Sequence, residues 1–387
     1  MSADGRFVVF TSAASNLVAG DTNGQTDVFV RDTVSGETSR VSVASDGSQA
    51  NNGSNEASIS ANGRFVVFTS AASNLVAGDT NGQTDVFVRD TVSGETSRVS
   101  VASDGSQANR SSHQPSVSAD GRLIAFVSDA SNLAAGDTNS TYDVFVRNTG
   151  SGETSRVSVD SGGNQAGPGF GSYRPSMSAD GRSVAFFSQW PFFVAGDTNG
   201  VQDVFLKDLI SGEITRVSVA SDGSQSEFEG SFNPSISADG RFVAFSSEAP
   251  NLVAADTNNK RDIFVRDVVA GQTTRVSVAT DGTQSNNTSD DPSLSADGRI
   301  VAFRSRASNL VAGDTNGQYD VFVRDTVSGE TSRVSVAFDG SQTTSQSDIA
   351  SVSADGRFVT FSSPAPNLVA ADTNNAKDVF IFDRGSG

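Results

Sequence analysis

One pentapeptide, Ser-Ala-Asp-Gly-Arg or a near copy of it, recurs from Ser2, Ser60, Ser118, Ser178, Ser237, Ser295 and Ser353. Its spacing is 58 to 60 residues throughout, so seven copies of one unit tile residues 1–387 as a single repeat domain without a linker. Residues 2–52 and 60–110 differ at two positions only, Asp4/Asn62 and Asn52/Arg110. A fixed period of this length means that each copy is one small supersecondary unit. Such a unit cannot bury its own apolar faces, and it relies on identical neighbours to do so.

Each unit reads as four short strands. The first is a small-residue segment such as Pro115-Ser116-Val117-Ser118, and the second is the run from Arg6 to Ser12. The third begins at Asp27 (DVFVRD) and the fourth at Ser39 (SRVSVA). Short length, β-branched and aromatic content, and Gly/Asp/Asn punctuation all favour strands. No stretch carries a sustained 3.6-residue apolar period, so helices are not expected. Asp-Gly between the first two strands, Asn62-Gly63 in the second copy, suits a tight hairpin whose glycine takes positive φ.

The apolar patterns order the strands. Phe7-Val8-Val9-Phe10 and Val28-Phe29-Val30 are unbroken runs, as expected of strands buried on both faces. Val41 and Val43 alternate with Ser42, which suggests a half-exposed outer strand. The small first strand suits a crowded inner position beside a channel. A four-stranded sheet covered on both faces by its neighbours is a propeller blade. The expected fold is therefore all-β, a seven-bladed β-propeller of four-stranded antiparallel blades, with the first and last blades each lacking one strand. Phe10 and Phe29, and their equivalents through Phe361 and Phe380, are placed to fill the gaps between blades.

Pro234-Ser-Ile-Ser-Ala-Asp-Gly-Arg-Phe-Val-Ala-Phe245 resembles the PD40, or TolB-like, β-propeller repeat, and the resemblance extends over nearly the whole chain. It implies a fold and not an activity, because such propellers serve as scaffolds, binding platforms and enzyme domains. Seven copies depart from the six-bladed arrangement common in TolB.

The long connection between the second and third strands holds a recurring Asp-x-Asn-x-x-x-Asp. Its copies are Asp21, Asn23, Asp27; Asp79, Asn81, Asp85; Asp137, Asn139, Asp143; Asp197, Asn199, Asp203; Asp256, Asn258, Asp262; Asp314, Asn316, Asp320; and Asp372, Asn374, Asp378. The three intervening positions drift, even to Lys260 and Arg261. Calcium takes six to eight oxygen ligands, and a tight loop presents side chains at positions 1 and 3 with a backbone carbonyl near 5. The spacing is similar to the calcium loops of integrin-type propellers and dockerins, without their third acidic position. Up to one Ca²⁺ per blade is one expectation, and it would offset most of a net charge of −18. The other is that Asp and Asn act purely as turn formers. The Gly-x-Gln after the fourth strand (Gln49 and its copies) and the Asn before Leu-Val (Asn16, Asn74 and theirs) read as loop braces. Arg6 and its copies read as ion-pair partners of neighbouring blades.

The fourth copy breaks the pattern. Trp190, Phe192 and Phe193 stand in its long loop, and Phe170, Tyr173, Phe228 and Phe232 in the connectors around it. Clustered rings of this kind mark a candidate ligand surface, or a local plug. Catalysis has little to stand on. There is no cysteine and one histidine, His113, in a variable connector. The acidic balance, 45 Asp and Glu against 27 Lys and Arg, opposes nucleic acid and anionic membranes. No apolar run is long enough to span a bilayer. The functional expectation is a secreted, periplasmic or surface binding scaffold for a protein or glycan. A polysaccharide-acting enzyme or lectin and a ligand-free structural repeat are the alternatives.

Overall fold

The computed structural model describes every residue except Phe228, Ala371, Asn375, Ser386 and Gly387. It contains seven antiparallel sheets and no helix among the described residues. Five sheets have four strands, and the first and last have three. The chain is an all-β, seven-bladed β-propeller. In the second blade the strands run Ser54–Ile59 (inner), Phe65–Ser70, Asp85–Asp90 and Glu95–Arg98 (outer), paired in that order. The first blade lacks an inner strand and the last an outer one. Two compact units are present, Met1–Gly196 with Leu206–Thr215, and Asp197–Phe205 with Arg216–Gly387.

Burial follows the apolar runs in blades two to six, whereas Phe10 in blade one is half-buried and Val379 and Ile381 of the last strand are each 42% exposed. Val28, Val30 and Val41 of blade one share a buried cluster with Val66, Phe68 and Phe87 of blade two. Phe68 and Phe87 are fully buried and lie opposite each other on the two central strands, with ring centroids 6.0 Å apart. Each such ring contributes about 1.5–3 kcal/mol. Position dictates the glycine of each Asp-Gly turn. At Gly121 φ is +78°, and a Cβ would meet the Phe65 ring of the preceding blade at 2.1 Å. Only glycine allows that hairpin to close over its neighbour.

Four local expectations are corrected. The outer strand is shorter than SRVSVA; in blade one it spans Thr38–Arg40. Ser42 does not alternate to solvent: it is fully buried between Val41 and Val43, because its hydroxyl bonds the Asp27 carboxylate at 2.5 Å. Arg6 pairs with Asp32 of its own blade, not a neighbour, since the second and third strands end side by side at Phe7 and Asp32. His113 lies on an inner strand, Ser112–Val117, opposite Val127, and not in a connector.

Candidate functional site

The acidic loops are built alike in six blades. In blade two, the Asn81 side-chain amide donates to Asp85 Oδ2 (2.9 Å) and to the Ala108 carbonyl (2.9 Å), while Asn81 Oδ1 accepts from the Gln83 amide (2.9 Å). Ser100 donates to Asp85 Oδ1 at 2.5 Å. Arg98, at the end of the outer strand, puts one guanidinium nitrogen 3.2 Å from Asp79 and 3.3 Å from Asp85. The same arginine stands between the same acids at Arg40, Arg156, Arg216, Arg275 and Arg333. These arginines are about nine-tenths buried, and the second acid of each pair is wholly buried. Sequence reasoning gave Arg98 no role. Its signal was present, as an arginine fixed in every copy of an otherwise apolar and hydroxylic strand.

That arrangement differs from a calcium loop. The asparagine turns its N–H groups, not its oxygen, toward the second aspartate, and a guanidinium occupies the space between the carboxylates. A divalent cation needs oxygen atoms converging there, so the residues as placed do not fit one. Among the described residues no group of three His, Cys, Asp or Glu side chains is gathered to hold a metal. Burial pushes the Asp197 and Asp256 carboxyls up to about 6, the second aspartate of each pair adding to desolvation. Gln107 braces the loop, its Oε1 accepting from Arg98 (2.8 Å) and its amide donating to the Thr80 hydroxyl (2.7 Å). Asn74 braces across blades, donating to the Gln49 carbonyl and accepting from the Asn51 amide, each at 2.9 Å.

The seventh copy is different. Asp372, Asn374 and Asp378 sit in a blade without an outer strand. Asn374 still donates to Asp378 (3.0 Å), but no cation lies between the two acids among the described residues.

A second feature lies on the inner strands. One residue on each of five inner strands is forced to positive φ at a bulge: Glu56, Gln114, Arg174, Asn233 and Asp291, with φ between 48° and 54°. Non-glycine residues held there store strain, a feature that gathers at binding sites. The bulges interlock, Gln114 N–H donating to Glu56 and Arg174 N–H to Gln114, both at 2.8 Å.

Three positions around each bulge diverge while the blade is copied. Blades two to seven carry Asn55, His113, Tyr173, Phe232, Asp290 and Asp348 at the first. Their partners on the second strand are Thr69, Val127, Phe187, Ser246, Arg304 and Ser362. Before the third strand stand Thr84, Tyr142, Gln202, Arg261, Tyr319 and Lys377.

In the first unit these positions make an aromatic ladder. Centroids are 6.5 Å apart for His113–Tyr142, 5.7 Å for Tyr142–Tyr173 and 5.6 Å for Tyr173–Phe187. In the second unit they make an ionic one. Arg261 pairs with Glu248 (2.7 Å) and Asp290 (3.0 Å) and lies over the Phe232 ring. Arg304 pairs with Asp291 and Asp348, both at 3.1 Å.

The aromatic residues singled out in blade four divide. Phe193 folds into the core, 3% exposed and edge-on to Phe186. Trp190 is half-buried between Phe170 (5.1 Å) and Phe192 (5.0 Å), on the bare backbone of Gly167. Phe192 is 68% exposed. Phe232 belongs to the second unit, and Phe228 lies outside the described residues. Tyr142, Phe187, Arg261, Arg304 and Tyr319 were missed. Aligning the seven copies and looking for their most divergent columns would have found them.

No family model matches the sequence, and no curated protein matches it. Solved structures do resemble it. An oligogalacturonate lyase from Vibrio parahaemolyticus is 13% identical, with a TM-score of 0.58 over 99% of this chain and 87% of that one. The β-propeller domain of the trilobed protease from Pyrococcus furiosus is 10% identical, with a TM-score of 0.55 over 98% and 92%. TolB from Acinetobacter baumannii is 14% identical, with a TM-score of 0.44 over 79% of this chain and 58% of that one. At these identities the likeness is one of fold.

Proposed function

We propose that this chain is a non-catalytic β-propeller scaffold that binds a protein or glycan ligand on its inner rim. One observation carries the reading. Across blades that repeat their core, turns and acidic loops almost unchanged, side-chain chemistry diverges at the inner-strand position beside the strained residue, at its partner on the second strand and at the residue before the third strand. Duplication copies residues, so chemistry that differs from blade to blade at these positions is what recognition of an asymmetric ligand requires. Half-buried Tyr142 and Tyr173 offer large rigid surfaces with polar tips, the residue type favoured at interfaces. The cysteine-free, lysine-poor acidic composition suits a protein working outside the cytoplasm, and no described helix is long and apolar enough to cross a membrane. The test is a panel of immobilised oligosaccharides and surface proteins. A ligand retained by the wild type is expected to be lost by Tyr142→Ala/Tyr173→Ala with the melting temperature unchanged. Retention by the double variant would remove the rim from the account.

The polysaccharide-acting reading draws on the likeness in fold to an oligogalacturonate lyase. Against it, the one histidine packs its ring on Tyr142, and among the described residues it forms no ion pair with a carboxylate. Appearance of unsaturated or shortened products from a bound glycan would favour the enzyme.

Calcium binding is supported by the Asp-x-Asn-x-x-x-Asp spacing and opposed by the arginine between the acids. Loading a blade requires that arginine to leave a nearly buried position. Melting in calcium and in chelator separates the two, because a ligand of the native state raises stability by about 2.7 kcal/mol at a hundredfold excess over Kd.

A further inference from the structure

We propose that Asn52 is a deamidation site: in the folded chain its side-chain amide is displaced by the backbone nitrogen of Gly53, while the five other Asn-Gly pairs of the chain are held unreactive. The six pairs begin at Asn23, Asn52, Asn62, Asn81, Asn199 and Asn316. A glycine after asparagine puts no side chain in the way of its own nitrogen. All six therefore carry the same local chemistry, and only the fold separates them.

Four are the asparagines of the acidic loops. The Asn23 amide, the group that would have to leave, donates to Asp27 (2.9 Å) and to the Ala50 carbonyl (3.1 Å), and its oxygen accepts from the Gln25 amide (2.9 Å). Asn81, Asn199 and Asn316 are tied in the same three ways. At Asn62 the nucleophile is occupied instead. Gly63 N–H donates to the Ser60 carbonyl (3.0 Å), and Asn62 Oδ1 accepts from the Ser60 hydroxyl (2.9 Å) and the Arg64 amide (3.0 Å).

Asn52 is exposed, and the one hydrogen bond of its side chain comes from the glycine itself, Gly53 N–H donating to Oδ1 at 2.8 Å. With a C=O bond of about 1.23 Å, that contact puts the nitrogen roughly 3–4 Å from Cγ, overlapping the ~3–3.5 Å of a near-attack pair. Both sides of the pair are anchored. Asn51 is bonded to Ser73 and Asn74, and the Gly53 carbonyl accepts from the Ala71 amide and the Ser70 hydroxyl. Asn287 makes the same contact with a β-branched successor, Thr288 N–H donating to Asn287 Oδ1 at 2.9 Å.

The step balances with water alone. The Gly53 nitrogen gives its proton to solvent base and bonds to Asn52 Cγ. The Cγ–Nδ2 bond breaks, and ammonia leaves a five-membered succinimide. Water then opens the ring. Cleavage at Cγ gives aspartate, and cleavage at the backbone carbonyl gives isoaspartate, with the main chain rerouted through the side chain. Either product adds one negative charge just before the inner strand Ser54–Ile59.

The test incubates the full chain, folded and in urea, at mildly alkaline pH and follows each asparagine by fragment-ion mass spectrometry of tryptic peptides. Asn23 and Asn81 are read together, because residues 7–31 and 65–89 are identical. In the folded chain Asn52 is expected to convert at least about tenfold faster than any of the other five, the scale on which orientation acts, and urea is expected to erase that lead. Gly53→Thr is expected to slow Asn52 to the rate of Asn287. A Cβ at Gly53 meets nothing closer than Asn55 Nδ2 at 3.9 Å, so the variant keeps its fold. An Asn52 that stays intact in the folded chain, or converts no faster than the other five, overturns the proposal. So does a lead that survives in urea, or a rate that Gly53→Thr leaves unchanged.

Discussion

The acidic loops of blades two and seven share a motif and differ in everything around it. Asp85 is wholly buried and bonded by Asn81, Ser100 and Arg98. Asp378 is partly open and bonded by Asn374. The asparagine turn forms in both, so it is a local property of the loop. Burial of the carboxylate depends on the strand that arrives later with the arginine. A charge moved from water into a protein interior costs several kcal/mol unless it is paired. The motif is thus half a site, completed by residues about 13 to 20 positions downstream.

The sharpest way to break that comparison is to remove the cation. Arg98→Gln leaves two buried carboxylates unpaired, and a loss of about 3–5 kcal/mol is expected in urea unfolding. Adding Asp79→Asn to the same chain should return part of it; a further loss would mean that Arg98 acts by packing and not by charge. Ser100→Ala comes next, at about 1–3 kcal/mol, because it strips a buried hydrogen bond from Asp85.

Acidity sharpens the contrast. Asp197 and Asp256, raised from 3.8 to about 6, bind protons more readily in the folded than in the unfolded state. Stability held back at neutral pH is therefore gained as pH falls through 6 toward 3.8. The hairpin aspartates work the other way. Asp267, hydrogen-bonded by Arg241, is lowered to about 2, and its contribution is lost as pH falls below the usual 3.8 toward that value. Melting temperature should peak on the acid side of neutrality, and a monotonic fall from pH 7 to 4 would contradict this. The smallest effect belongs to blade seven. Asp378→Asn, which changes one hydrogen bond at a half-buried carboxylate, should cost no more than about 1 kcal/mol.

Much of the architecture was legible in the sequence. The period set the blade count, the unbroken apolar runs marked the central strands, and the Asp-Gly pairs marked the hairpins. These are contacts between residues close in sequence, or between copies of one pattern. The site was less legible. Ser42 looked like the polar half of an alternating strand, yet its hydroxyl is buried on Asp27. Arg6 looked free to reach a neighbour, yet the pairing of Phe7 with Asp32 put its partner in the same blade. The rim residues Tyr142, Tyr173 and Phe187 are far apart in sequence and meet because one inner strand pairs back on its own blade and lies against the blade before.

Strand number, strand order and the turn chemistry of each loop came from local pattern alone, since each rests on backbone preference and a period of two. Which cation answers the buried acids, and which rings meet on the rim, was fixed by cross-strand register and blade stacking. A one-residue slip in either would turn those side chains to the opposite face, and no local signal in the chain records that choice.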